Sequence, residues 1–385
     1  MAPIYLDYNA TTPIDPAVRE AMLPYLGEHF GNPSSTHAYG RSTHNAVDKA
    51  RGQLAALIAA EPSEIVFTGG GSEASNQAIK GAVFVRLKSL ISRIMSRPAH
   101  IITSAIEHPA TLQPCEFLNR FGVSISVLPV DGMGLVDPDA VKKAIRRNTA
   151  LISIMHSNNE VGTLQPIREI AAVAREHGVL MHSDAAQSLG KVAVSVRDLG
   201  VDLLTVAGHK LYAPKGIGAL FIRSGVTIDS LIHGAGHEGG RRAGTENVPY
   251  IVGLGTAAEV AAKSLPQATE RLRMLRDRLH GRLRELCGDR VSLNGHPELR
   301  LPNTLNVNFA GCIGAELLAR VPEVAASTGS ACHEGKINLS PVLCAMGVRP
   351  ESGRGAVRLT VGRFTTDEEV DRAATALANG LSKSN

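Results

Sequence analysis

Five short segments of this 385-residue chain carry side chains able to do chemistry. The first is Gly69-Gly70-Gly71-Ser72-Glu73, set between a strand-like run and a helical one. Glycines let backbone N–H groups approach an anion closely, and a helix start adds positive potential. Gly71 and Ser72 therefore suit a phosphate, although a tight strand-to-helix turn would use the same residues. The second is His182-Ser183-Asp184-Ala185-Ala186-Gln187. Asp184 ends an apolar run, where a carboxylate is desolvated and needs a cation or several donors. A protonated pyridine nitrogen is one such cation; a helix N-cap is the other use of an aspartate in that place. The third is Gly208-His209-Lys210. Burial at a strand end would lower the lysine pKa and make Lys210 a nucleophile toward an aldehyde, whereas most lone lysines lie on the surface.

The fourth segment is Ser327-Thr328-Gly329-Ser330-Ala331-Cys332-His333-Glu334-Gly335. Structural cysteines sit among apolar residues. Cys332 sits in a small, polar stretch beside His333, a setting for a reactive thiolate or for an incidental loop cysteine. The fifth is Arg358, inside the apolar run Ala356–Leu359. It needs an acidic partner, which a substrate carboxylate or a structural ion pair would supply. Metal chemistry is not indicated. His233 and His237 have the spacing of helical ligands, but Gly234, Gly236, Gly239 and Gly240 argue against a helix there.

Order adds what the single segments lack. A phosphate cup, then a strand-end Asp184, then Lys210 26 residues later, is a pattern for pyridoxal phosphate. The elements that must position these groups alternate. Apolar strand-like runs occur at 64–68, 100–104, 123–129, 149–155, 179–183, 201–206 and 217–223, with helical patterns between most of them. Alternation of that kind predicts an α/β domain on a largely parallel sheet. After about residue 257 the texture changes to a charged amphipathic helix over 270–286 and strand-like 304–309 and 356–361, a smaller α+β unit.

Apolar residues make up 44% and charged residues 20%, as in a soluble globular chain. A formal charge of +4, on 40 basic and 36 acidic side chains, gives no sign of direct nucleic-acid or membrane binding. No apolar run is long enough to span a bilayer, and the N-terminus does not read as a signal peptide. Five cysteines without a CxxC pair point to a reducing compartment, so the expected location is cytoplasmic.

The chain resembles the class V aminotransferase-type enzymes and, within them, the cysteine desulfurases. The landmarks run in family order from Tyr5-Leu-Asp-Tyr-Asn-Ala-Thr-Thr12 to Arg363-Phe-Thr-Thr366. Between them come Gly31-Asn-Pro-Ser-Ser35, Glu107-His108, Met155-His-Ser-Asn-Asn-Glu160, Asp184-Ala-Ala-Gln187, Gly208-His-Lys210, Arg242-Ala-Gly-Thr245, Gly329-Ser-Ala-Cys332 and Val357-Arg-Leu-Thr-Val-Gly362. The resemblance implies a fold-type I pyridoxal-phosphate enzyme with a mainly parallel seven-stranded sheet. It places a large cofactor domain at 16–257 and a small domain, built from 1–15 and 258–385, that carries the Cys332 loop. It also implies a homodimer.

Site roles follow position by position. Lys210 matches the Schiff-base lysine, Asp184 the partner of the pyridine nitrogen, and His108 the ring-stacking histidine given acid–base work. Gln187 and Asn159 match amides beside the ring, Asn159 also facing substrate. Gly71, Ser72 and His209 match phosphate contacts, and Thr245 a contact to the partner subunit's phosphate. Arg358 matches the clamp for a substrate carboxylate. Cys332 matches the nucleophile that takes sulfur from L-cysteine as a persulfide, leaving L-alanine, before an acceptor protein removes it. That acceptor would serve a pathway such as iron–sulfur cluster assembly.

There are departures. A serine hydroxyl common in the family is replaced by Ala207. Ala207, Ala331-Cys332-His333 and Ser340-Pro341-Val342-Leu343 are also similar to selenocysteine lyases, which would release selenium and L-alanine from L-selenocysteine.

Overall fold

The computed structural model describes residues 2–91, 99–328 and 339–382. After the short strand β1 (Ile4–Tyr5), seven strands form the central sheet. They are β2 (Ile65–Thr68), β3 (His100–Ser104), β4 (Ser124–Leu128), β5 (Thr149–Ser153), β6 (Leu180–Asp184), β7 (Leu203–Ala207) and β8 (Gly218–Ile222). Their order is β2-β8-β7-β6-β5-β3-β4. Only β8 is antiparallel to its neighbours; the other pairs are parallel. All seven apolar runs of the sequence fall on these strands, with β6 reaching Asp184 and β7 reaching Ala207.

Helices cover both faces, which is why the inner strands are buried along almost their whole length rather than on alternate residues. Successive side chains of one strand feed opposite cores. Ile152 and Leu204 pack with Val47, Leu54, Ile170 and Leu254. Leu151 and Leu203 pack with Ala78, Ile79, Val83 and Leu118 on the other side.

A second, antiparallel sheet contains β9 (Val291–Asn294), β10 (Thr304–Phe309) and, beyond the two-residue strand β11 (Val324–Ala325), β12 (Ala356–Thr360). β11 pairs with β1. The core of this region joins both chain ends: Ile4 and Leu6 pack with Leu279, Val307, Leu359 and Leu377.

The helix expected over 270–286 is the second half of a 40-residue helix, Val248–Cys287, that runs through Pro266. Its first half gives Ile251, Leu254 and Ala258 to the large core; its second half gives Leu272, Leu275 and Leu279 to the small one. The change of texture near residue 257 marks a change of packing partner within one helix. No helix among the described residues is long and apolar enough to cross a membrane.

Candidate active site

Parallel strands open a cleft at their carboxyl ends, where the connecting loops diverge. Here the ends of β6 and β7, the turn after β2 and the loops after β3 and β5 surround a cavity of about 670 Å³. It is lined by Gly71, Ser72, His108, Asn159, Asp184, Gln187, His209, Lys210 and Arg358, residues drawn from most of the chain length. Of the expected site residues, Thr245 is exposed and does not line this cavity. Cys332 lies outside the described residues.

The glycine turn forms one wall of the cavity. The helix Gly71–Ile91 begins one residue before Ser72, so the Ser72 hydroxyl sits in its first turn. A Cβ on Gly71 would come 3.1 Å from the Ala207 Cβ, tighter than an ordinary contact, so glycine eases the close approach of the turn to β7. Glu73 fastens the turn: it accepts from Gly69 N at 2.8 Å and pairs with Arg242 at 2.9 Å. His209 lines the same cavity, its Nδ1 3.2 Å from Thr11 Oγ1, and burial lowers its pKa to about 4.

Asp184, 6% exposed, lines the cavity from the end of β6. No helix follows it; the chain enters a turn, and Asp184 Oδ1 accepts from Ala186 N at 2.9 Å. Burial pushes its carboxyl above the usual range, while the charges of His108 and Lys210 pull it back. His108 caps the helix Pro109–Asn119, its Nδ1 accepting from Ala110 N at 3.1 Å.

Lys210 lines the same cavity from a single 3₁₀ turn after β7. Gly208 makes that turn possible, because a Cβ there would meet Ile217 at 2.8 Å. Lys210 Nζ donates to Asn9 O and, at 2.7 Å, to Ala10 O. Burial lowers its pKa to about 8, helped by the Arg358 charge and opposed by Asp7 and Asp184. Gln187 Nε2 donates to the same Asn9 carbonyl at 2.9 Å.

Arg358, on β12, reaches the cavity from the smaller sheet and is 7% exposed. Its Nη2 pairs with Asp7 Oδ1 at 2.6 Å and its Nη1 donates to Asn159 O at 3.1 Å. The structural ion pair considered from the sequence therefore exists. Arg358 Nε is buried without a partner among the described residues, so donor capacity remains.

Sequence reasoning assigned no role to Asp7 or Asn9. Asn9 also donates from Nδ2 to Asn159 O at 3.1 Å and to Thr304 Oγ1 at 2.9 Å, a junction of three distant segments. Its signal was the polar run Asp7–Thr12 directly after an apolar start.

The model of the family described as aminotransferase class-V matches residues 4–373. The chain belongs to that family. Among relatives of this chain is the "Cysteine desulfurase IscS" of Dictyoglomus turgidum, 46% identical over 99% of this chain and 95% of that one. The protein of the same name from Methanosarcina thermophila is 47% identical over 96% of this chain and 89% of its own. Among solved structures, a "NifS-like protein" superposes with a TM-score of 0.90 at 35% identity, covering 99% of this chain and all of the other. SspA in complex with cysteine superposes with a TM-score of 0.81 at 38% identity, covering 94% of this chain and 99% of the other.

The cofactor is pyridoxal 5'-phosphate, and the cavity fits it. A glycine cradle that a Cβ would crowd, an amine with a lowered pKa and a buried carboxylate line one space. These suit a phosphate, an aldehyde and a pyridinium respectively.

Proposed function

We propose that this class-V enzyme is a cysteine desulfurase. It converts L-cysteine to L-alanine, places the sulfur on Cys332 as a persulfide and passes it to an acceptor protein. The observation that carries this reading is Lys210, half-buried with its pKa lowered to about 8, in one cavity with Asp184 and Arg358. The cysteine desulfurase names of the relatives support the substrate. The sum balances: the substrate carbon–sulfur bond breaks, a sulfur–sulfur bond forms at Cys332, and the carbon takes up hydrogen.

When bound, pyridoxal phosphate supplies an electron sink for charge developing beside the substrate nitrogen. Gly71, Ser72 and His209 would hold its phosphate, with Thr245 serving the partner subunit's site. Asp184 would hold its ring nitrogen protonated, with His108 and Gln187 against the ring. Lys210 Nζ, free to exchange a proton near pH 8, would carry the proton between substrate carbons. Arg358, kept in place by Asp7, would receive the substrate carboxylate beside Asn159.

Both described flanks of the Cys332 segment are fastened beside this cavity. Ser327 exchanges backbone hydrogen bonds with Arg358, and Ser340 donates its hydroxyl to the buried Glu160. The same reading makes residues 16–257 the cofactor-binding unit, and 1–15 with 258–385 the unit bearing Cys332; two separate cores support a division in two, although Ala258 and Ala261 still pack in the larger one. It also makes the protein a cytoplasmic homodimer that serves iron–sulfur assembly. Phe30 and Tyr39, stacked at 5.4 Å and 74% and 60% exposed, offer apolar surface for a partner subunit.

The test is alanine formation from L-cysteine and from L-selenocysteine with wild type and Cys332→Ala. Wild-type turnover of cysteine that is lost in Cys332→Ala is the expected result. Strong preference for selenocysteine that survives loss of Cys332 would establish the lyase reading instead.

A further inference from the structure

Behind the cavity lies a second lysine to which no role above is given. Lys191 is 5% exposed. Its main chain is fixed: its N–H donates to Ser188 O at 3.1 Å, and its carbonyl accepts from Thr269 Oγ1 at 2.7 Å. The ammonium faces only neutral acceptors, Gln187 Oε1 at 3.0 Å and Asn9 Oδ1 at 3.4 Å, with no carboxylate paired to it among the described residues. A buried cation without a counter-charge is costly to keep. Burial accordingly lowers its pKa to about 7, and the charges of Lys210 and Arg358 act in the same sense.

An amine cation only donates, so each amide oxygen near it must turn toward it and each amide nitrogen away. Asn9 has further determinants, since Asn303 Nδ2 donates to its Oδ1 at 3.0 Å and its own Nδ2 donates to Thr304. Gln187 is held at both ends of its amide: its Oε1 accepts from Lys191, and its Nε2 donates to Asn9 O. That carbonyl is the one that also accepts from Lys210 Nζ.

We propose that Lys191 is a positioning residue of the cofactor site: it anchors the Gln187 amide by its oxygen and the Asn9 side chain by its Oδ1, and so steadies both the amide beside the ring and the carbonyl that holds Lys210. The proposal rests on the reading that this cavity holds pyridoxal phosphate. A cavity of about 60 Å³ borders both lysines, so a side chain of similar length has room at position 191.

The experiment compares wild type, Lys191→Met and Lys191→Gln as full-length chains. It reads the dissociation constant for pyridoxal phosphate by absorbance titration, and the melting temperature of the same proteins. Lys191→Met leaves Gln187 Oε1 unpartnered and is expected to bind about tenfold more weakly. Its melting temperature is expected to stay close to that of wild type, because loss of a buried cation without a counter-charge offsets the acceptor left unpartnered. Lys191→Gln returns an amide donor without the charge and is expected to bind within about threefold of wild type.

Wild-type affinity in Lys191→Met overturns the proposal, as does equal loss in both variants. A lowered melting temperature with unchanged affinity shows a merely structural role and overturns it too. If Lys191→Met does not fold, Lys191→Gln alone decides: a tenfold loss there means that charge, not the donor, matters. A wild type that binds no pyridoxal phosphate overturns the reading of the site and this inference together, whereas one that binds it without using cysteine leaves this comparison fully readable.

Discussion

The two sides of the cavity are built by different physics. On the large-sheet side, Asp184 and Lys210 stand at or just past the carboxyl ends of neighbouring parallel strands. Their positions follow from strand pairing and one glycine-dependent turn, so local backbone geometry delivers them. On the small-sheet side, Arg358 is aimed by Asp7, some 350 residues earlier, and by the backbone of Asn159. That side exists only after both chain ends and the middle have met. Chemistry-bearing groups placed by a sheet should tolerate loss of one another without unfolding, whereas a buried cation placed by a distant anion should not.

The largest effect expected from breaking the sheet side is Lys210→Ala. Alanine formation should fall by about 10³-fold or more, because one side chain would supply both the covalent anchor and the proton carrier. Its melting temperature should stay close to wild type, since a pKa lowered by burial marks Lys210 as a group whose charge the fold does not favour. A collapse of stability would mean that the two sides are not built differently.

On the other side, Arg358→Met should raise KM for cysteine by roughly a hundredfold, as expected for loss of a desolvated charge pair. It also leaves Asp7 without its partner, so stability should fall with it. The same variant links the two sides through pH. Arg358 disfavours the charged form of Lys210, so its removal should move the Lys210 midpoint upward from about 8. Capture of pyridoxal phosphate by the protein, which needs the neutral amine, should then begin at higher pH. An unmoved midpoint would show that the sides act independently.

The smallest change is Ala207→Ser. It places a hydroxyl where the Ala207 Cβ faces Gly71, and one added hydrogen bond should tighten pyridoxal phosphate by up to about tenfold. A direct titration of the two proteins checks this; weaker binding would show that the close approach at Gly71 leaves no space for the hydroxyl.

Much of this is legible in the amino-acid sequence. The seven apolar runs became the seven strands because residues buried on both faces of a sheet carry a strong local signal. Lys210, Asp184 and the glycine turn were legible because each occupies a strand end, which a change in hydropathy marks. The amphipathic helix over 270–286 was seen, but not its continuity with 248–269, since each half is patterned for a different core. Lys191 was passed over because a buried lysine looks like a surface one when only its sequence neighbours are known. The helix-cap alternative for Asp184 was a fair local inference that the turn after β6 did not fulfil.

The amino-acid sequence by itself determined the α/β class, the strand ends that carry chemistry and the family, because these depend on local hydropathy and on motifs within a few residues. Only the tertiary structure decided which polar groups face one another: Asp7 with Arg358, Asn9 with Lys210 and Gln187, and Lys191 with Gln187. Most of these pairs span some 180 to 350 positions, and the nearest, Gln187 and Lys191, means something only because Asn9 closes on it. Such contacts form when chain folding brings distant backbone segments together, and no local pattern records which segments those will be.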